Sequence, residues 1–253
     1  RVCNIRRSSD DISADFSAIQ LASGAATDFV GSGNDGFVTI WYDQSGNGID
    51  ASNNDTDEQP QIIESGTYLA SLKFDADTNG ANPDFLKTTT IVGASTDFFV
   101  SYVIANKADQ SSFGGVIGSR SGNSKGYNIG VHPNEKPQIF IFGPSGGGED
   151  GNDQMSVALG TSDTNLITYQ RDGQEVKGFL DGTERSSYTS RPMTNPDVSD
   201  PAMLIGCGDR LDQTISAEGL KAEIKEIVFY ETDRTDDRTE IEADIAKYYG
   251  LWV

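Results

Sequence analysis

Two neighbouring predicted strands carry the side chains best suited to hold a ligand. Alternating apolar residues over 127–132 and 138–142 predict an antiparallel hairpin, and in the predicted register Gly130 faces Phe140 and leaves its ring uncovered. The outward face combines aromatic, amide and imidazole side chains: Asn128, His132, Gln138, Phe140 and Phe142. Such a set suits the apolar face and the hydroxyls of a sugar. We therefore expect a sugar-binding face; the alternative is that a loop such as 105–125 covers the phenylalanines.

Two loops group oxygen ligands of the kind that Ca²⁺ prefers. The first group has near-alternate spacing around glycines and consists of Asp43, Ser45, Asn47 and Asp50. The second lies in an acidic, glycine-rich loop and consists of Glu149, Asp150, Asn152 and Asp153. Calcium is therefore the expected cation if any binds. Because the late bidentate glutamate of an EF-hand is missing, hydrogen-bonded turns and a solvated acidic loop are the alternative.

The sequence lacks the residue patterns of the common hydrolases. A jelly-roll glucanase places its carboxylates at alternate positions of one strand, whereas Glu223 and Glu226 are three residues apart and face opposite ways. His132 is the single histidine, and no G-x-S-x-G elbow accompanies it. The glycines at 146–148 are followed by acids, which excludes a phosphate-binding P-loop. The sequence thus predicts a protein that is not an enzyme.

The charge balance excludes several partners. The chain has 253 residues, with 19 Lys and Arg against 39 Asp and Glu, and a formal net charge of −20. A surface this acidic repels phosphate backbones and anionic lipids, so we expect neither nucleic-acid binding nor membrane-surface binding. No run of 18 apolar residues is present, so no membrane insertion is expected.

The two cysteines, Cys3 and Cys207, lie in predicted strands at opposite ends of the chain. They are too few for a disulfide scaffold or a zinc site. Neighbouring strands of a closed sandwich could bring them together as one disulfide. The alternative is a pair of buried free thiols.

Short apolar runs separated by Gly, Asn, Asp and Pro recur along the chain and predict an antiparallel β-sandwich or jelly roll. Residues 11–30 read as a short helix or as strand and loop. A firmer helix begins after Thr235 as N-cap and ends at Gly250, with an apolar stripe of Ile241, Ile245, Tyr248 and Tyr249. No linker interrupts 1–253, so we expect a single domain; a start at Arg1 rather than Met suggests part of a longer polypeptide.

The segment Gly36-Phe37-Val38-Thr39-Ile40-Trp41-Tyr42-Asp43-Gln44-Ser45-Gly46-Asn47-Gly48 resembles the N-terminal part of laminin-G-like, concanavalin A-like jelly-roll domains. It is also similar to the jelly roll of fungal-type arabinofuranosidases. The resemblance continues through Gly178-Phe179-Leu180-Asp181-Gly182 and the closing Glu226-Ile227-Val228-Phe229-Tyr230. It implies an all-β, antiparallel β-sandwich (a concanavalin A-like jelly roll) with a short C-terminal α-helix, and calcium at one rim.

These expectations combine into one leading hypothesis. We expect a non-catalytic carbohydrate-recognition or adhesion module of an extracellular, cell-surface or virion-surface protein, with a glycan or cell-surface polysaccharide as its partner. The alternative is a structural decoration, fibre or appendage subunit that assembles with other virion or appendage subunits. A glycoside hydrolase or polysaccharide lyase is the third hypothesis.

Overall fold

The computed structural model describes residues 1–76, 83–89, 97–121, 125–142, 151–189, 202–208 and 218–252. Nearly half of the described residues lie in β-strands, and every strand pairing among them is antiparallel. The all-β class predicted from the alternating pattern is confirmed.

The strands form two facing sheets. Sheet A contains, in spatial order, β5 (Gln61–Glu64), β6 (Thr67–Phe74), β17 (Ala222–Tyr230), β8 (Phe98–Ala105), β13 (Asn165–Asp172), β14 (Glu175–Leu180) and β15 (Thr183–Thr189). Sheet B contains β4 (Ala51–Ser52), β7 (Leu86–Thr88), β16 (Leu204–Ile205), β9 (Gly114–Ser121), β10 (Lys125–Val131), β11 (Pro137–Phe142) and β12 (Gly151–Gln154).

A third group of strands joins the sheets at one edge. It consists of β1 (Cys3–Arg7), β2 (Ser13–Phe16) and β3 (Gly36–Trp41), and β3 pairs with β5 of sheet A near one end and with β4 of sheet B near the other. At the opposite edge the N–H of Ser156 donates to the carbonyl of Arg185 at 3.3 Å. The sandwich is therefore held together at both edges.

The main core lies between the two sheets. In sheet B the inward residues are those expected from the alternation, and Tyr127, Ile129, Val131, Ile139 and Ile141 are all fully buried. The inward residues of sheet A come from β5, β6, β17, β8, β13 and β14. Because side chains alternate along a strand, burial of this set turns Asn128 and Phe140 outward.

Helix α3 (Arg238–Tyr249) covers the outer face of sheet A. Ile245 packs with Val103 and Leu166, and the helix ends at Gly250, whose φ of 64° suits the left-handed C-terminal cap that the sequence predicts. The predicted stripe is wrong at one position, since Tyr248 is 80% exposed and lies outside it. Sheet B has no such helix among the described residues.

The start of α3 differs from the prediction. The N-cap is Asp237, not Thr235, because the Thr235 hydroxyl donates to Asp233 at 2.7 Å and accepts a hydrogen bond from Gln170. None of the helices in the described ranges has both the length and the apolar character that a bilayer span requires.

Residues 17–30 form two short helices after β2, α1 (Ala18–Ala22) and α2 (Ala25–Val30), separated by Gly24 with a φ of 84°. Ser17 caps α1 in a reciprocal arrangement. Its hydroxyl accepts from the Gln20 N–H at 3.3 Å, while the Gln20 side-chain oxygen accepts from the Ser17 N–H at 2.9 Å. Both orphan donors at this helix start are therefore satisfied.

We expect Ser17→Ala to lower the free energy of unfolding by about 1 kcal/mol, because one of these cap bonds is lost. Urea denaturation measures the difference. The control is Ser112→Ala, which alters an exposed serine, and it should leave the midpoint unchanged. Equal midpoints for wild type and Ser17→Ala would contradict the capping role.

Candidate functional site

The outward face of β10 and β11 is the face for which a ligand was predicted. In the structure Asn128 opposes Phe140 and Gly130 opposes Gln138, so the predicted register, with Gly130 opposite Phe140, is wrong by two residues. The reason is Pro137, which pairs with Val131 as a strand residue instead of belonging to the turn. A shift of two residues preserves the faces, because side chains alternate with a period of two.

Asn128 forms the centre of this face. Its side chain is 1% exposed, and Nδ2 donates to the carbonyl of Gly208 at 2.8 Å and to Glu218 Oε2 at 3.2 Å. The amide fits only because its neighbours lack side chains: a Cβ on Gly118 would lie 3.1 Å from Oδ1, and one on Gly208 would lie 2.6 Å from Nδ2. Two glycines thus shape the space that the asparagine occupies.

Glu218 lies beside Asn128 in a backbone conformation that side chains rarely adopt, with a φ of 56°. Its carbonyl accepts from the N–H of Gly115 at 2.8 Å and from that of Gly208 at 3.0 Å. These chains approach so closely that a Cβ on Gly115 would lie 2.0 Å from the nitrogen of Gly208. Surrounding backbone therefore fixes a strained residue, an arrangement that clusters at functional sites. Glu218 is not among the site residues predicted from the sequence.

Two aromatic rings lie next to this pair. Phe140 is partly exposed, and the ring of Phe113 meets it edge-on, with centroids 5.1 Å apart and an interplanar angle of 68°. Phe113 also lies over Gly130, where an added Cβ would be 2.6 Å from the ring. The space above Gly130 is therefore filled by a residue of the segment 105–125, while part of Phe140 stays open.

The other predicted ligand residues are either buried in this face or lie at its end. Phe142 shares the face but is 2% exposed, with its centroid 6.4 Å from that of Phe140. Gln138 is 5% exposed, and its Oε1 has no hydrogen-bond partner. His132 lies at the turn, where Nδ1 accepts from the N–H of Asn134 at 3.2 Å. The structure thus brings Asn128, Gln138 and Phe140 together and leaves His132 at the end of the strands.

A lysine buried at 2% exposure anchors the segment that delivers Phe113. Lys107 forms an ion pair with Glu135 of the β10–β11 turn, and the other carboxylate oxygen of Glu135 accepts from the N–H of Gln110 at 3.1 Å. The Gln110 side chain donates to the carbonyl of Lys221 at 3.1 Å. The position of the Phe113 ring therefore depends on this ion pair.

The carboxylate oxygens of the first predicted calcium loop accept hydrogen bonds from within the same loop. Asp43 Oδ1 accepts from the N–H of Ser45 at 2.8 Å, and Oδ2 accepts from the Ser45 hydroxyl at 2.8 Å and the N–H of Ile49 at 3.1 Å. Asp50 Oδ1 accepts from the N–H of Asp43 at 2.8 Å. This pattern is that of the hydrogen-bonded turns given above as the alternative to calcium binding. The described contacts include no hydrogen bond of the Asn47 side chain. The donor set is a poor fit for a cation.

The second predicted calcium group is only partly described. Glu149 and Asp150 lie outside the described residues. Asp153 opposes Ile139, faces the core and is 8% exposed, and its burial raises the pKa of the carboxyl. Across the described ranges, no group of three or more acidic, histidine or cysteine side chains is placed to hold a metal. Calcium binding stays a prediction.

Both cysteines are free thiols, which was the alternative to a disulfide. Both are buried and unbridged, Cys3 at 1% exposure in the main core and Cys207 at 0% in a separate cluster with Phe85, Ala202 and Leu204. The disulfide is therefore not formed, because the two side chains belong to different apolar clusters. Burial raises the pKa of the Cys3 thiol to about 12, which keeps it protonated.

A polar pocket of about 370 Å³ lies at the β3–β5–β6 edge, lined among others by Phe37, Gln61, Glu64, Lys73, Asp75 and Asp84. Lys73 pairs with Glu64 at 2.6 Å. Burial raises the pKa of Asp84 to about 7, and the charge of Asp75 acts in the same direction. This carboxyl is therefore poised to titrate near neutral pH.

Comparison with known proteins shows that the chain is similar to several of them in its fold. No protein-family model matches the chain, and no curated protein does. Among solved structures, an arabinofuranosidase complexed with arabinofuranosyl-α-1,2-xylobiose is similar over 96% of this chain, with 15% identity and a TM-score of 0.63; the chain spans 58% of that enzyme.

Two binding modules are similar as well. The CBM40 of the Ruminococcus gnavus IT-sialidase matches 60% of this chain and 84% of its own, with 12% identity and a TM-score of 0.50. The binding domain of botulinum neurotoxin serotype D matches 81% of this chain and 48% of its own, with 14% identity and a TM-score of 0.55. At these identities the likeness concerns the fold, and the chain has the jelly-roll sandwich that these proteins share.

Proposed function

We propose that the chain is a non-catalytic carbohydrate-recognition module that binds a glycan on the outer face of sheet B, in an extracellular or cell-surface setting. The observation that carries the proposal is the partly exposed Phe140 ring beside the Asn128–Glu218 pair. A ring supports the apolar face of a sugar, and amide and carboxylate groups bond its hydroxyls.

The sandwich neighbours support this proposal at the level of the fold. The Ruminococcus gnavus module is by name a carbohydrate-binding module, and the botulinum fragment is by name a binding domain. Among the described residues, no helix lies on the outer face of sheet B, whereas α3 covers the outer face of sheet A. On the outer face of sheet B, Phe140 is partly exposed, and its ring is the surface proposed for the ligand.

Hydrolysis is the second candidate, and the strained backbone of Glu218 is the observation that favours it. A glycosidase uses two carboxylates, about 5–9.5 Å apart, on either side of the scissile bond. Recognition needs only the groups that are present, so it is the stronger candidate.

A glycan array probed with the purified chain tests the proposal. We expect binding to a restricted set of glycans, and Phe140→Ala should weaken it at least about tenfold, because stacking on the open ring is lost. Running the array with calcium and with chelator tests the calcium prediction at the same time. The matched control is Tyr248→Ala, which removes an aromatic ring that is 80% exposed on α3 and should leave binding unchanged.

Two results would contradict recognition without catalysis. Absence of binding in both buffers, with the chain eluting as an oligomer, would favour the appendage or virion subunit instead. Release of free sugar from a bound glycan, abolished by Glu218→Gln, would favour the hydrolase.

A further inference from the structure

The exposed part of the Phe140 ring is bounded along its own strand by buried side chains. Phe140 is partly exposed, whereas Gln138 and Phe142, two residues away on the same face of β11, are 5% and 2% exposed. A ligand on this face therefore reaches the Phe140 ring without a second open ring or amide before or after it along the strand.

The face is also closed across the strands, on the side of β10. Asn128 opposes Phe140 there and is 1% exposed. Its Nδ2 donates to the carbonyl of Gly208 at 2.8 Å, and a Cβ on Gly208 would lie 2.6 Å from the same nitrogen. The backbone at Gly208 thus lies directly on the Asn128 side chain, and a glycan chain cannot continue from Phe140 over β10.

Phe113 lies beside the exposed part of Phe140, on the side of the β10–β11 turn. The Phe113 ring is partly exposed and lies over Gly130, which is two residues nearer to the turn than Asn128. The planes of the Phe113 and Phe140 rings are inclined at 68°, with their centroids 5.1 Å apart. The two rings form what we call the aromatic corner (Phe113 and Phe140), which Phe113 closes toward the turn.

Contacts on both sides of Phe113 in the chain fix its ring. Three residues earlier, the N–H of Gln110 donates to Glu135 at 3.1 Å. One residue later, Gly114 begins the pairing of β9 with β10. The aromatic corner is therefore present before a ligand arrives, and binding does not have to order it.

We infer that the aromatic corner binds a single terminal sugar residue of a glycan, and that Phe113 excludes residues from within the chain. The apolar face of a terminal residue lies on Phe140 while its edge contacts Phe113. A terminal residue needs one free direction, for the rest of its chain, whereas an internal residue needs two. A sugar attached on the side of the turn would occupy the space of the Phe113 ring. Such a clash is sufficient for selectivity. The inference rests on the proposed function and specifies the part of the glycan that is bound.

Glycans matched in pairs test the inference. Xylobiose is compared with xylohexaose, and N-acetyllactosamine with the same disaccharide capped by α-linked galactose. Every glycan bound on the array is likewise compared with its form extended by one residue at the non-reducing end. We expect short and long members to agree within about twofold in Kd, because each offers one terminal residue. Capping the bound residue should weaken binding at least about tenfold, because the added sugar does not fit.

Phe113→Ala tests the role of the second ring. The difference between capped and uncapped glycans should narrow at least about fivefold, because the clash is removed. The uncapped glycan should also bind about threefold more weakly, because one ring contact is lost. Phe113→Tyr keeps the ring and should retain the wild-type difference. Urea denaturation checks that each variant is folded. Phe113→Leu, with its shorter apolar side chain, replaces Phe113→Ala if the alanine variant is not.

The outcomes separate this inference from the proposed function. Equal binding of capped and uncapped glycans, or affinity that rises steadily with chain length, would overturn terminal recognition and leave carbohydrate recognition in place. A difference that stays unchanged without the Phe113 ring would show that Phe113 does not exclude the chain, and the inference as stated would be wrong. Failure of every glycan to bind would overturn the proposed function as well.

Discussion

Replacing Glu135 with glutamine should lower the free energy of unfolding by about 3 kcal/mol, because it leaves the ammonium group of Lys107 buried without its counter-charge. Lys107 is 2% exposed and Glu135 about one-fifth exposed. Glutamine keeps an acceptor for the N–H of Gln110 but turns its amide NH2, a donor, toward the ammonium of Lys107, so the change removes both the counter-charge and the acceptor of the ion pair. Urea denaturation of Glu135→Gln against wild type measures the effect.

A double-mutant cycle identifies the cause. Lys107→Met alone removes the buried charge, and in the double variant, Lys107→Met with Glu135→Gln, we expect about half of the lost stability to return. The control pair is Lys73 with Glu64, whose side chains are 36% and 48% exposed. There, Glu64→Gln should cost less than about 1 kcal/mol. Additive effects of the two Lys107–Glu135 variants would show that the ion pair contributes nothing.

The ion pair also connects stability to the candidate site. It fixes the segment whose Phe113 ring packs on Phe140, and the N–H of Ala108 in that segment donates to Lys221 at 2.9 Å. A loosened segment would let the Phe113 ring leave Phe140. Variants of Lys107 should therefore change glycan binding even though Lys107 itself is buried.

The sequence predicts much of the fold because alternation with a period of two needs only local information. Tyr127, Ile129 and Ile139 occupy the alternate positions predicted to face the core, and all three are buried as expected. The register failed for a local reason as well, since turn composition alone does not show whether Pro137 begins the strand. The prediction that Asn128 and Phe140 share a face is still correct, because a shift of two residues leaves each side chain on the same face of the sheet.

The rest of the site could not be predicted, because it depends on contacts between distant segments. Glu218 reaches Asn128 only because the chains at Gly115 and Gly208 approach closely enough to share its carbonyl. No spacing in the sequence encodes that approach. Phe113 is similar: it precedes a strand and reads as a loop residue, and its place over Gly130 depends on the pairing of β9 with β10. Side chains fixed by tertiary contacts have no periodic signal.

Acidification from pH 8 to about pH 5 should stabilise the protein. Burial raises the pKa of Asp84 to about 7, whereas an aspartate in the unfolded chain titrates near about 3.9. The folded state therefore binds this proton more tightly, and its stability rises as pH falls through 7. Burial also raises the pKa of Asp153 and of Glu242, which act in the same direction. Fewer ionised acids also reduce the self-repulsion of a chain with a net charge of −20.

The stability that the protein gains on acidification should be lost again at lower pH. Hydrogen bonds from Asn4, Tyr42 and Arg1 lower the pKa of Asp15 to about 2, so its stabilising contribution is present above about pH 4 and is lost as pH falls toward 2. Maximum stability is therefore expected between about pH 4 and pH 5. Thermal unfolding followed across pH 3 to 8 would locate it, and a maximum at or above about pH 7 would contradict the assignment.

Asp84→Asn tests the largest single contribution. Between pH 8 and pH 5 a proton held with a pKa of about 7 corresponds to at most about 3 kcal/mol, and partial exposure of Asp84 to water reduces this to about 2 kcal/mol. Between pH 8 and pH 5 the free energy of unfolding should therefore rise by about 2 kcal/mol less in the variant than in wild type. The variant should be the more stable protein at pH 8, because wild type carries the buried charge there. Asp57→Asn removes an exposed carboxylate and is the control. Parallel pH profiles for wild type and Asp84→Asn would show that Asp84 does not take up the proton, and the acid stabilisation would then have to come from Asp153, from Glu242 or from the net charge.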